Sequence, residues 1–429
     1  YQVVGMALSG KAARELERGS GIKSETVRKR EIQLSHTLLD TLAHVGRELV
    51  RAYRYGASKN YKPNTVDKLT LSNKTVLVVD EASMLGLEDA ANLLRKAQMA
   101  GATVVLVGDE RQLPAIQSVS PFALLHKFVS GVTLEDIKRQ TTEWMRDAVR
   151  SFAVGDAQAG LSLAIQHGAL SMSRGGPQQT MADLVGSWHG ENSTDLSEKL
   201  ILASTNEHAT ELNRLAQQAR RESGELGRSS VELGTGEHAH RGDRVTFLRN
   251  HRGLGVFNGE TGTVQSLHKP PFARGELKVE LDHGETVRFS LDKYDALSLG
   301  YAMTTHKAQG MTVDSSYIYM SHEHTSAELA YVQTSRARER MQLFAPGFDA
   351  GEDLAELEAA AAKDRARGLA DEIRRGQDLA KLAEALDRRP AINPDDDYEL
   401  TRGVSLCLCL LSQFCWCLLW LWWPVQRSF

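Results

Sequence analysis

Short apolar runs that stop abruptly at polar residues set the rhythm of this chain. Residues 1–8 read as a short strand. Residues 11–55 read as helical, with a cationic excess between Lys11 and Arg30, and 59–74 are polar and rich in turn formers. "TVLVVDEASM" places a buried strand at Val76–Val79 that ends in two acids. "LEDAANLLRKAQMAGA" follows with the period of an amphipathic helix closing at Gly101, and "TVVLVGDERQLPAI" gives a second buried strand and a loop. Strand, helix, strand with short connections is a parallel α/β unit. Residues 141–200 look mostly helical, and "KLILASTNEHATELNRLAQQAR" repeats the strand, loop, helix theme.

The period changes over residues 240–295. "GDRVTFLRN", "GETGTVQSL" and "ELKVELDHGETVRFSL" alternate apolar and polar positions between Gly-rich turns, as a small all-β module of about five strands does. "LSLGYAMTTHKAQGMTVDSSYIYM" returns to the α/β pattern. Residues 350–392 are an Ala-, Glu- and Arg-rich helical extension, 393–398 ("NPDDDY") are a linker, and no internal repeat is present.

At 429 residues, 41% hydrophobic and 25% charged, the chain has ordinary globular composition and room for two or three domains. A formal charge of −4 excludes a protein that binds nucleic acid by bulk charge, while local basic patches stay open. Tyr1 runs straight into a strand pattern without a signal peptide, which suggests a chain that starts inside a larger protein. Cys407, Cys409, Cys415 and Cys417 are its only cysteines and all lie in the last 25 residues, so the body has no disulfide framework and suits a reducing compartment. Their C-x-C…C-x-C spacing among Leu and Trp lacks the polar context of a zinc site.

Four stretches carry chemistry. In "VLVVDEASM", Asp80 and Glu81 close an apolar strand, where one carboxylate can hold Mg²⁺ and the next can polarise an attacking water. In "VLVGDERQLPAI", Asp109 and Gln112 end the neighbouring strand, at the sheet edge where open α/β sheets bind ligands. "TTHKAQGMT", Thr304 to Thr312, gathers hydroxyls, an imidazole, an ammonium and an amide suited to a phosphate backbone. "YVQTSRARER" offers Arg336, Arg338 and Arg340. Each stretch alone is equally compatible with a solvated surface. "SHEH", with His322 and His324, has no third histidine at a ligand spacing and reads as surface.

Taken in order, DEASM, GDERQLP, IKRQ, GDRV with NGE, THKAQG and TSRAR resemble the superfamily 1 DNA helicases of the RecD type, and most nearly the helicase part of conjugative relaxases of the TraA/TraI kind. The resemblance runs over residues 1–346. It implies an α/β fold of two RecA-like parallel-sheet domains with a small SH3-like β-barrel insert. The domains would be 1–135 (the first, amino-terminally truncated), 136–235 and 296–346 (the second), and 236–295 (the insert). It implies ATP-driven translocation on single-stranded DNA with ATP and Mg²⁺ as cofactors, in the bacterial cytoplasm, beside a relaxase domain and the conjugation machinery, with ATP the one small-molecule substrate. Carried over by residue, Asp80 would bind Mg²⁺, Glu81 would activate water, Gln112 would read the γ-phosphate, and Arg139 and Arg336 would reach it from the second domain. Asp109, Gly310 and Arg338 would line the nucleotide site, and Ser9, Thr305, His306, Lys307 and Gln309 would face DNA, with Asn258 and Phe257 weaker choices that could equally form a hairpin turn.

Gly5-x-x-x-x-Gly10-Lys11 imitates a phosphate loop, but Ala12 stands where Ser or Thr should ligand Mg²⁺, and "MALS" lacks an interior glycine. The resemblance makes this stretch the segment after the loop, with the true loop expected before Tyr1. A catalytically inactive DNA-binding remnant is therefore the rival reading. The uncharged tail at 404–425 would span about 33 Å as a helix, enough for a bilayer core. A shifted reading frame, a membrane anchor that would make this a tethered partner protein, and a buried or partner helix are its three readings.

Overall fold

The computed structural model describes residues 1–34, 71–112, 121–126, 128–129, 131–134, 136–191, 195–271, 273–347, 352–363 and 406–411. Its first five strands are β1 (Gln2–Ala7), β2 (Ser24–Thr26), β3 (Thr75–Val79), β4 (Thr103–Gly108) and β5 (Gly131–Leu134). β6 (Leu170–Ser173) and β7 (Lys199–Ala203) follow among helices, then the pair β8 (Ser230–Glu232) and β9 (His238–His240). β10 (Arg244–Phe247), β11 (Thr261–His268), β12 (Glu276–Leu281), β13 (Thr286–Ser290) and β14 (Leu297–Leu299) come next. β15 (Ala302–Thr304), β16 (Val313–Tyr319), β17 (Ala337–Pro346) and β18 (Leu406–Leu411) complete the set.

Two parallel sheets, one five-stranded antiparallel sheet and the two-stranded antiparallel pair β8-β9 result. The first has the order β2-β1-β3-β4-β18-β5, all parallel. The second, also parallel, runs β15-β7-β16-β17-β6. The antiparallel sheet, β13-β12-β11-β10-β14, is inserted between β7 and β15 in sequence. Parallel-sheet α/β domains were the expected fold class, and this is what the strand orders give. The alternating "ELKVEL" of β12 buries every second residue, as a one-sided sheet demands. β14 pairs with β10, so the antiparallel sheet takes in residues 297–299, beyond the expected limit of 295.

Three expectations for local structure change. Of the helix read over 11–55, a first part, Gly10–Ser20, ends where Gly21 caps it in the left-handed conformation at φ 70°; the chain returns as β2 beside β1, is helical again at Val27–Leu34, and lies outside the described residues over 35–55. Residues 141–200 are helical at 143–153, 157–166 and 176–190, but β6 interrupts them because "LSMS" pairs with β17. Residues 406–411 of the apolar tail form a strand in the first sheet, not part of a helix. Among the described residues no helix is long and apolar enough to cross a membrane. Of the helical extension, Glu352–Ala362 is helix, while the rest of 350–392, the linker and most of 404–425 lie outside the described residues.

Each unit has its own core. Met6, Leu77, Leu93 and Leu106 fill the first, and Phe247, Leu277 and Val279 fill the antiparallel sheet. The second parallel sheet is packed on both faces, by Phe152, Leu161 and Ile318 on one and by Trp188, Leu212 and Tyr317 on the other. The inserted sheet is fixed to the second domain through buried polar groups. Tyr301 Oη donates to Asp243 Oδ1 (2.5 Å) and accepts from Arg220 (3.0 Å), and Gln217 donates to Asp243 Oδ2 (2.7 Å). Burial and the Asp243 charge hold the Tyr301 hydroxyl protonated, so it stays a donor.

Asn213 secures the return from the insert. Its Oδ1 accepts from the amides of Tyr301 and Ala302 (both 2.9 Å) and its Nδ2 donates to the Ala302 carbonyl (2.9 Å), all buried. Asn213→Ala strands these three backbone groups, and each buried orphan costs about 1–3 kcal/mol. Urea unfolding is expected to register a loss of about 3 kcal/mol. A loss below about 0.5 kcal/mol would show that water takes over the bonds.

Candidate functional site

β3 and β4 end side by side, and their last residues make the site. The Asp80 amide donates to the Met6 carbonyl (2.9 Å), tying the end of β3 to β1, and Asp80 Oδ1 accepts from the Glu81 amide (2.9 Å). Glu81 sits at φ 52°, the one non-glycine residue with positive φ among the described residues. A side chain held in that sparsely populated region is strained, and such strain concentrates at working sites. The turn it starts, Ala82–Met84, lies against the end of β4: a Cβ on Gly108 would come within 2.9 Å of the Ser83 amide nitrogen. Glycine at 108 is what lets the two strand ends approach.

Asp109 and Gln112 follow β4 and are buried. Gln112 Nε2 donates to Asp109 Oδ2 (3.3 Å). Both residues also reach the second domain. Tyr331 Oη donates to Asp109 Oδ2 (2.7 Å), and Gln309 Nε2 donates to Gln112 Oε1 (3.2 Å). Arg139 and Arg336 complete the opposite wall. Arg139 donates to the Ser335 carbonyl (2.5 Å), and the adjacent Gln140 donates to the carbonyls of Ser335 (3.3 Å) and Ala337 (2.7 Å). Arg336, only 2% exposed, donates through Nε to the Val332 carbonyl (2.9 Å) and through Nη2 to Ser335 Oγ (2.8 Å).

The electrostatics follow from this crowding. Burial, with the Asp80 charge added, pushes the Glu81 carboxyl up to about 7 against the opposing pull of Arg336 and Arg139. Burial also raises Asp80. Burial and the charge of Arg336 pull Arg139 down to about 9, and burial lowers Arg336. The result is a carboxyl near neutrality, able to take a proton, facing two guanidinium groups.

Of the residues expected to act at the nucleotide, Asp80, Glu81, Asp109, Gln112, Arg139 and Arg336 thus stand together. Gly310 adopts φ 81° in the turn beside Gln309, with Glu15 of the first helix, α1 (Gly10–Ser20), alongside. Arg338 corrects its expectation: it pairs with Asp314 (2.7 Å) and Glu198 (3.2 Å) of its own domain.

The expected DNA-facing set divides. His306, Lys307 and Asn258 are exposed. Thr305 is wholly buried, bonded to the Ala203 carbonyl (3.1 Å) and to Gln333 (2.8 Å), so it supports the loop from inside and does not present a hydroxyl to DNA. Gln309 faces Gln112, as above. Ser9 spends its hydroxyl on α1, accepting from the Ala12 amide (3.0 Å). Phe257 lies under the Arg14 guanidinium (4.5 Å from ring centroid to Cζ), while Arg14 also pairs with Glu260 (2.8 Å). Asn258 occupies the adjacent turn, where its amide donates to Asn250 Oδ1 (2.7 Å).

Two further residues of the site carry no clear sequence signal. Tyr331, which bonds Asp109 across the cleft, is hidden in an apolar helix, and Gln140, which ties the Arg139 segment to Ser335 and Ala337 within the second domain, is a single amide. "SHEH" forms a short 3₁₀ turn, and no cluster of three metal-ligating side chains occurs among the described residues.

The donor set can be tested against Mg²⁺ and a nucleotide. Hard carboxylate oxygens suit Mg²⁺. Gln309 Oε1, buried without a partner beside Gln112, can accept from a water in the cleft, and two guanidinium groups suit phosphoryl oxygens. These fit the γ end of a nucleoside triphosphate. The amino end of α1 does not fit as a phosphate cradle. Its Ala12 and Ala13 amides donate to the side chain and carbonyl of Ser9, and Phe257 fills the open face of Gly10, where a Cβ would lie 2.3 Å from the ring. This supports reading Gly5 to Lys11 as a look-alike.

Residues 1–174 match the family model described as an AAA domain. The conjugal transfer protein TraA of Agrobacterium fabrum is 31% identical over 346 residues, covering 80% of this chain and 28% of that protein. The ATP-dependent RecD2 DNA helicase of Deinococcus radiodurans is 30% identical over 272 residues, 62% of this chain and 35% of that protein. Among solved structures, the Bacteroides Pif1 helicase in complex with ADP-AlF3 and ssDNA aligns at 17% identity over 88% of both chains, with a TM-score of 0.48. The chain spans less than a third of the length of the TraA relatives it matches.

Proposed function

This chain is related to the TraA conjugal transfer proteins and to the RecD-type superfamily 1 helicases, and from that premise we propose that it is an ATP-driven translocase on single-stranded DNA, the helicase part of a conjugative relaxase. One observation carries the reading: carboxylates at the ends of β3 and β4 face Arg139, Arg336 and Tyr331 of the other domain across one cleft, and Gln112 beside them is bonded to Gln309. Asp80 would hold Mg²⁺, which when bound shields phosphate charge and draws electrons from the γ-phosphorus. Glu81 takes the proton of the attacking water as its oxygen bonds to phosphorus and the bond to the ADP oxygen breaks. Arg139 and Arg336 offset the charge developing on the phosphoryl oxygens. Gln112, bonded to Gln309, registers the loss of the γ-phosphate and passes it to the Thr304–Thr312 segment, whose exposed His306 and Lys307 would follow the DNA backbone.

A second reading has its own support. The α1 amides are already engaged, so a DNA-binding protein without hydrolysis follows if no other group holds the β-phosphate. The deciding experiment is ATP hydrolysis by the full chain with Mg²⁺, with and without single-stranded DNA, beside Glu81→Gln. Hydrolysis that DNA stimulates and Glu81→Gln reduces by about 10²-fold or more supports the motor. Salt-sensitive DNA binding by a folded chain with no hydrolysis supports the second reading. Absence of both would sink the two together.

A further inference from the structure

We propose that the Tyr331 hydroxyl is a positioning group for the reaction: its bond across the cleft to Asp109 sets how Arg336 and Arg139 stand against Glu81. The inference rests on the reading of the chain as an ATP-hydrolysing motor. Tyr331 lies in the helix Ala327–Thr334, which is buried from Glu328 to its end. The last turn of that helix is also where both arginines are fixed. The Val332 carbonyl and Ser335 Oγ hold Arg336, Ser335 Oγ donates to the same Val332 carbonyl (2.9 Å), and the Ser335 carbonyl holds Arg139. The Ser335 amide donates to the Tyr331 carbonyl (3.0 Å), which closes the turn on Tyr331 itself. A displacement of Tyr331 therefore carries the two guanidinium groups with it.

The far end of the bond is equally fixed. Asp109 Oδ1 accepts from the Arg111 amide (3.1 Å), and Oδ2 accepts from Tyr331 Oη (2.7 Å) and Gln112 Nε2 (3.3 Å). An ionised carboxylate only accepts, so Gln112 presents Nε2 to it and turns Oε1 to Gln309. The two cross-cleft bonds thus share Asp109 and Gln112 as one junction. The hydroxyl–carboxylate bond is the charge-assisted one, while the Gln309–Gln112 bond (3.2 Å) joins neutral amides. Burial and the Asp109 charge keep the Tyr331 hydroxyl protonated, so it stays a donor. A buried tyrosine can satisfy its hydroxyl within its own domain; this one reaches a residue 222 positions away in the other.

The test is ATP hydrolysis by the full chain with Mg²⁺ and single-stranded DNA in four forms: wild type, Tyr331→Phe, Arg336→Ala and the double variant. Tyr331→Phe keeps the ring and leaves Asp109 two donors, so it is expected to fold. It is expected to lower kcat about tenfold or more, as a small misplacement of catalytic groups does, with KM for ATP within about threefold. In the Arg336→Ala background the same change is expected to cost less than about threefold, because groups that act as a unit are not additive. A hydroxyl that only supports the fold costs the same in both backgrounds, and that result would overturn the proposal. An active wild type with Tyr331→Phe turnover within about threefold of it would overturn this inference alone. No hydrolysis by wild type would overturn it together with the motor reading. Should Tyr331→Phe not fold, hydrogen–deuterium exchange on wild type decides. ADP with aluminium fluoride is expected to slow exchange at 109–112 and at 331–336 together, by about tenfold. Slowing of one segment without the other would overturn the proposal.

Discussion

Arg336→Ala is expected to lower DNA-stimulated ATP hydrolysis by about 10³-fold or more, the scale of a lost arginine finger. The guanidinium is fully enclosed and held from two sides, by the Val332 carbonyl and by Ser335 Oγ. It is therefore preorganised and costs no reordering at the moment of reaction. Burial works against its charge, and the charges of Glu81 and Asp109 favour it. Arg336→Lys tests geometry apart from charge. An ammonium cannot reproduce the planar fork, so most of the loss should persist. DNA affinity read by fluorescence anisotropy should stay within about threefold, because Arg336 lies inside the cleft and phosphate-backbone contacts carry that binding. Hydrolysis by Arg336→Ala within about threefold of wild type would remove Arg336 from the mechanism.

Much of this was legible because parallel sheets advertise themselves. β3 and β4 are unbroken apolar runs, and the polar residue that ends each run is the one the fold sends to the shared edge. What the sequence hid has physical causes. β2 is three residues with no apolar run, and β1 alone gives it a partner. β6 takes its identity from β17, far along the chain. The tail reads as a helix by length and hydropathy, while its strand conformation depends on a gap that only the folded sheet creates. Among the site residues, Thr305 and Arg338 went astray for one reason: in a polar cluster of known position, sequence does not say which side chains turn inward. Thr305 turns to Ala203, and Arg338 turns to its own domain's acids.

Glu81 carries the second large effect, on stability. In the unfolded chain its carboxyl titrates near 4.5, and in the fold near 7. The folded state thus holds the proton more tightly. The resulting stabilisation is complete below the unfolded value, declines as pH rises from about 4.5, and is gone above about 7, where the ionised group is held among Asp80 and Asp109 with partial relief from Arg336 and Arg139. At about 1.4 kcal/mol per unit the swing is about 3 kcal/mol. Glu81→Gln keeps the shape and removes the titration. It is expected to match wild type near pH 4 and to be more stable at pH 8 by about 2–3 kcal/mol, measured by urea unfolding at several pH values. The same substitution should be the one that cripples hydrolysis, so stability gained where activity is lost would mark Glu81 as a residue kept for chemistry at the expense of the fold. Equal stabilities across the range, or a less stable Glu81→Gln at pH 8, would mean that water or a cation already solvates the carboxylate, and the proton-accepting role would need another residue.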